Sequence, residues 1–147
     1  MIKENLKMTG SLEIAINGDT VRKIPNLVVS AGKEHVTARL HGTTDGVMSA
    51  MAIGTGSTAA AAGDTALGTE AVRTAFDSGF PDISGTNTIK YETTFVAVGS
   101  GGDVSVTEAG IFNNTTSGGT MLARTVFGTV TKGASDVMTI TWTITVS

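Results

Sequence analysis

Glu108 is the most conspicuous chemical group in the chain. It lies in VTEAGIF, between apolar neighbours, on a segment that otherwise reads as core. A carboxylate withdrawn from water needs a cation or several hydrogen-bond donors. Arg124, in LARTV on the following strand-like segment, is the candidate cation; backbone N–H groups are the other source of donors. Either role is structural. Glycoside hydrolysis would need a second carboxylate across the scissile bond, and none pairs with Glu108 in the required way. It is therefore read as structural and not as catalytic.

The other reactive side chains are scattered. His35 and His41 are six residues apart on a predicted helix, about 240° around its axis, so they do not share a face for a metal. Asp64, Glu70, Asp77 and Asp82 fall in loop-like stretches and have the chemistry of calcium ligands, but no EF-hand spacing. GTGST and GSGGD resemble phosphate loops only in glycine content. Neither carries the Walker lysine or leads from a strand straight into a helix, so both are read as turns. The many serines and threonines sit in no nucleophile elbow. The reading is a protein without catalytic, metal or cofactor residues.

Composition limits the remaining classes. The chain has 147 residues, a formal net charge of −3, 16% charged residues and no cysteine. One domain over residues 1–147 is expected, large enough to bury a sizeable core without disulfides or thiolate metal sites. A weakly charged surface with no basic stripe argues against nucleic-acid binding and does little to prevent self-association. No apolar run approaches the ~18 residues of a membrane span, and the opening MIKENLKMTG lacks the apolar core of a signal peptide. A protein retained in, or assembled from, a cytoplasm is expected, with no membrane contact.

Nineteen glycines, and threonine more frequent still, point to strands separated by many turns. SLEIAI and TVRKI flank Asn17-Gly18, a strong hairpin signal, and Pro25 ends the second strand. SAGKEHVTARLHG predicts the single helix, residues 30–41, capped by Ser30 and Gly42, with Ala31, Val36, Ala38 and Leu40 as its apolar stripe. Val47–Ile53 and Glu70–Phe76 read as strands. Residues 54–69 read as a long surface loop tethered at Leu67. Asn87–Val98 alternates, with Ile89, Tyr91, Thr93, Phe95 and Ala97 on one side. VSVTEAGIFN and MLARTVFGTV follow. The terminal VMTITWTITVS places Met138, Ile140, Trp142, Ile144 and Val146 on the core face, and Val137, Thr139, Thr141, Thr143 and Thr145 on the other. That threonine face is read as solvated, or as a subunit contact. About eight strands and one helix predict a mainly β protein: an antiparallel sandwich or jelly-roll-like barrel. Its structural residues are expected to be Glu108, Arg124, Trp142, Phe112, Tyr91 and Phe95.

VTEAGIFN, a glycine-rich loop, MLARTVF and TKGASDVMTITWTITVS together resemble a pattern in small bacteriophage virion proteins of the tail-fibre, head-fibre and decoration kinds. IPNLVVSAGKEHVTARL and MAIGTGSTAAAAGDTALGTE are similar to the same group, so the likeness spans residues 24–147. TEAGIF is also similar to the Thr-Glu-x-Gly-x-Phe segment of phage tail-collar fibre domains. The resemblance implies a non-enzymatic, oligomeric β protein of the virion, assembled in a bacterial cytoplasm. It would form a homo-oligomer, a dimer or trimer, and bind the major capsid protein or other virion proteins. A head decoration or cement protein is favoured, because no shaft, coiled coil or repeat accompanies the domain. Residues 1–10 would then serve as an arm able to add a strand to a neighbour. The fibre-like TEAGIF favours the alternative of a tail or baseplate component, a fibre-base adaptor or short receptor-binding knob. A carbohydrate-binding module is the remaining class. It would need exposed aromatic rings, whereas Trp142 falls on the core face.

Overall fold

The structure is a computed structural model, which describes residues 4–43, 45–96 and 102–147. Its architecture is an antiparallel β-sandwich. One sheet has the order β2-β1-β10-β7-β6, from Asp19–Pro25, Met8–Ile16, Met138–Val146, Thr88–Phe95 and Asp82–Ile83. The other has the order β3-β9-β8-β4-β5, from Leu27–Val28, Met121–Lys132, Val104–Phe112, Ala50–Gly54 and Glu70–Ala75. The sheets remain separate, so the barrel alternative is set aside.

The terminal alternation builds the centre. β10 lies between β1 and β7, and Leu12, Trp142 and Tyr91 align across the three strands. Met138, Ile140, Trp142 and Ile144 are buried, while the intervening threonines are half-buried on the outer face. Val146, expected in the core, is only half-buried, because the sandwich opens at that end. Phe95 is buried at the opposite end of β7. Ala97, Val98 and Gly99–Gly101 of the predicted GSGGD turn lie outside the described residues.

The Asn17-Gly18 hairpin forms as read, with φ of 49° and 88° at the two turn residues. Its second strand then leaves the sheet. The N–H of Asn26 donates to the Gly10 carbonyl, after which Leu27 and Val28 pair with β9 in the other sheet. The Asn26 side-chain oxygen accepts from the Trp142 indole at 2.9 Å, so the crossover is fastened to the largest core side chain. Residues 8–10, expected within an arm, are instead the first part of β1, and Lys7 exchanges two backbone bonds with Ser147. Three of the nine aligned pairs between β1 and β10, at Met8, Thr9 and Gly10, hold this segment in place.

The helix α1, Ser30–His41, has the predicted bounds but a different buried face. Val29, not Ser30, occupies the cap position, without a side-chain cap; the Ser30 N–H instead donates to the Ala62 carbonyl. Gly42 closes the helix at φ 86°, as expected. The buried residues are Gly32 and His35, whereas Leu40 is 81% exposed. The reason is backbone proximity. A Cβ on residue 32 would overlap the Leu122 carbonyl, so only glycine lets the helix lie against β9. This contact sets the rotation of the helix and turns Leu40 outward.

The core is consistent with one domain: buried residues of both sheets form a single cluster. A smaller cluster of Val29, Ala52, Leu67, Phe112 and Met121 lies on the outer face of the second sheet. It is covered by the loop of residues 55–69, and Leu67 is its tether as predicted. Replacing Trp142 by Ala removes a fully buried ring and strands the Asn26 oxygen. It should cost ~3–5 kcal/mol of stability, measurable as a lowered denaturant midpoint; an unchanged midpoint would contradict the packing described.

Candidate functional site

Glu108 and Arg124 stand on adjacent strands, β8 and β9, with their side chains on the outer face of the second sheet, beneath the 55–69 loop. A register shift between Val106 and Glu108 turns the carboxylate to that face, so that it lies with Gly110 and Phe112. Arg124 aligns with Gly110, where the absence of a side chain leaves it room.

Glu108 is completely buried and accepts five N–H bonds. One oxygen receives the backbone N–H groups of Gly56 at 2.9 Å and Thr69 at 2.7 Å. The other receives Gly68 at 2.8 Å and the Arg124 guanidinium at 3.1 and 2.8 Å. Arg124 reaches onward to the Asp64 carboxylate at 2.6 Å and the Thr58 carbonyl at 3.0 Å. Asp64 in turn accepts the Ala61 N–H at 2.8 Å. Both ends and the middle of the loop are thus clasped by one buried ion pair. Glycine is required at residue 56, because a Cβ there would overlap the Glu108 carboxylate.

Burial works against the charge on Glu108, but the donors from Thr69, Arg124, Gly68 and Gly56 outweigh it and hold the carboxyl below its ordinary value. Asp64 is also lowered, chiefly by the Ala61 N–H, against partial desolvation and with help from Arg124. A carboxylate with five donors on about four lone-pair sites has none left to accept a proton from a substrate. In this conformation its chemistry is that of an anchor.

The sequence reading named this pair and also the backbone donors as alternatives; the structure contains both together. Phe112 is buried beside the clasp, with the Arg73 guanidinium 3.8 Å above its ring. Arg73 was not foreseen. It is bidentate to Glu70 at 2.9 and 2.7 Å and donates to the carbonyls of Asn114 and Gly118. A bulge opposite Ile53 and Gly54 changes the parity of β5, which spacing alone does not reveal. Tyr91, Phe95 and Trp142 are core residues remote from the clasp. Burial pushes the Tyr91 phenol up to about 12.

The four candidate calcium ligands are dispersed. Asp64 pairs with Arg124, Glu70 with Arg73, Asp77 accepts from Thr94, and Asp82 lies on β6. Among the described residues no group of three or more metal-ligating side chains occurs. His35 is buried and bonded to Asp45 at 2.9 Å. Comparison with protein-family models, curated proteins and solved structures returned no match.

Replacing Glu108 by Ala leaves Arg124 buried with a weakened partner set and strands three backbone donors; the expected cost is ~3–5 kcal/mol. Replacing both residues by Leu and Met should restore little of it, since Gly56, Gly68 and Thr69 still lack an acceptor. A double mutant as stable as the native chain would show that the ion pair, and not the backbone clasp, is the source of the cost.

Acid should loosen the same clasp. The folded carboxyl has the lower pKa, so its contribution is complete above the ordinary carboxylate value and is lost as pH falls through the folded value. Chemical denaturation from neutral pH into the acid range should show stability falling below about pH 4.5. The Glu108→Ala variant should show a shallower fall; identical slopes would remove Glu108 from the titration.

Proposed function

We propose that the chain is a non-enzymatic structural subunit of a bacteriophage virion, most simply a decoration protein that binds over capsid-subunit junctions and stabilises the head. The observation that carries this reading is where the phage-like stretches fold. Residues 24–40 supply β3 and α1, residues 51–70 supply β4 and the clasped loop, and VTEAGIFN and MLARTVF supply β8 and β9. Four of the five stretches, separate in sequence, lie on one side of the sandwich, where the 55–69 loop and the strands β8 and β9 meet at Glu108 and Arg124 and β3 pairs with β9; the fifth, TKGASDVMTITWTITVS, supplies β10 in the other sheet.

The work of such a subunit is adhesion. On the outer face of the first sheet, Thr88 meets Thr145 at 3.2 Å, Thr94 meets Thr139 at 3.4 Å, and Thr141 donates to Glu92 at 2.9 Å. Cross-strand bonds hold these hydroxyls in register, and their remaining lone pairs suit hydrogen bonds to another subunit. Many copies on one particle make modest single contacts sufficient. The fibre-like TEAGIF supports a second placement, in a tail or baseplate, through the same kind of contacts. The burial of Trp142 and Tyr91 removes two rings from any sugar-stacking role.

The test is to heat particles with and without the protein and follow genome release. Particles lacking it should open at a lower temperature and recover on its re-addition. Equal temperatures, with the protein imaged at the tail, would replace the head placement by the second one; its absence from the particle would overturn both.

A further inference from the structure

We propose that the open end of the sandwich is a self-association site, at which a second copy of this chain inserts residues 4–7, which lead into β1. This goes beyond the virion reading and does not depend on it. At that end the two layers diverge and leave a cleft of about 600 Å³ between α1 and the ends of β1, β10, β7 and β6. Its walls include Met8, Val36, Ile89 and Val146, all only half-buried. Apolar alternation thus continues past the point where the molecule covers its own core.

Several of the most exposed apolar residues gather at this same end. Leu40 is 81% exposed, Ile83 73% and Val47 58%, and all three line the cleft. Leu6, 75% exposed, lies two residues before Met8. Clusters of this kind mark interfaces, whereas isolated exposed apolar residues do not. The hole and the projecting Leu6 are neighbours on one end of the molecule, which is the condition for a closed two-fold contact in which each copy fills the other.

Charge supports the same occupant. The cleft carries Arg39 on one side and Asp82 on the other. The segment that would enter carries Glu4 and Lys7, flanking Leu6. None of these four is in a salt bridge among the described residues. In a two-fold contact Glu4 of each copy answers Arg39 of the other, and Lys7 answers Asp82.

Sedimentation equilibrium and light scattering on the chain at about 100 µM, enough to populate a dimer of micromolar Kd, test the proposal. The native chain should have twice the 14.9 kDa monomer mass. Leu40→Glu with Ile83→Asp should return it to monomer with an unchanged circular-dichroism melt, since both side chains are exposed. Leu6→Ser, outside every strand, should do the same and serves where the first variant disturbs the helix. Arg39→Glu should weaken the dimer roughly tenfold, and adding Glu4→Arg should restore it. A monomeric native chain, a trimer, or a dimer indifferent to these changes overturns the proposal. So does a monomer that takes up decanoate in the cleft, which would assign it to a small apolar ligand.

Discussion

A single buried carboxylate gathers five N–H donors from parts of the chain that sequence keeps far apart. Three of them are backbone groups 39 to 52 residues upstream of Glu108. The loop they belong to has few side chains of its own to hold it, with four consecutive alanines, several glycines and one apolar tether at Leu67; its other ties include the Ser30 N–H on the Ala62 carbonyl and the Thr107 hydroxyl on the Gly56 carbonyl. Its backbone polar groups are not met by a sheet ladder, so much of their pairing falls to side chains. Without the clasp, Ala52, Phe112 and Met121 would lose their cover, and the outer face of the second sheet would become an apolar surface.

This explains why an ion pair, usually a weak contributor when buried, is in place here. A pair of apolar side chains would fill the same volume with less desolvation. It would not satisfy Gly56, Gly68 and Thr69. The carboxylate is the acceptor the loop requires, and Arg124 is the cation that makes a fully buried carboxylate tolerable. Arg124 then carries the constraint to Asp64 and Thr58, so both flanks of the alanine run are fixed. Gly54 and Gly56 complete the requirement, since a side chain at either would meet the carboxylate.

Legibility in the sequence followed the range of the interaction. The period-two pattern of β10 and the Asn17-Gly18 turn are local signals, and both were read correctly. Glu108 and Arg124 were legible because an acid in an apolar strand demands a partner and the next strand offered one. Their loop partners were not, because backbone donors carry no side-chain signature. The helix face was misread for a related reason. Apolar periodicity favours Leu40, but Gly32 permits a backbone contact that no apolar side chain matches, and that contact decided the rotation. Arg73 was hidden by a bulge, which changes which residues share a face without changing their spacing.

The misread helix face also separates the two surfaces to which adhesion is assigned. Turning Gly32 inward leaves Leu40 at the rim of an apolar cleft, where burial releases water and needs no exact hydrogen-bond geometry. The threonine face is the opposite case. Its hydroxyls already bond across strands, so a partner there must match an ordered polar array and gains little from burial alone. Were both surfaces to bind as proposed, the cleft would suit strong, non-directional association and the threonine face a register-sensitive contact. On the proposed reading the first joins identical copies and the second addresses a different protein. In this fold the cleft and the threonine face lie on different parts of the molecule, so substitutions at one leave the residues of the other in place.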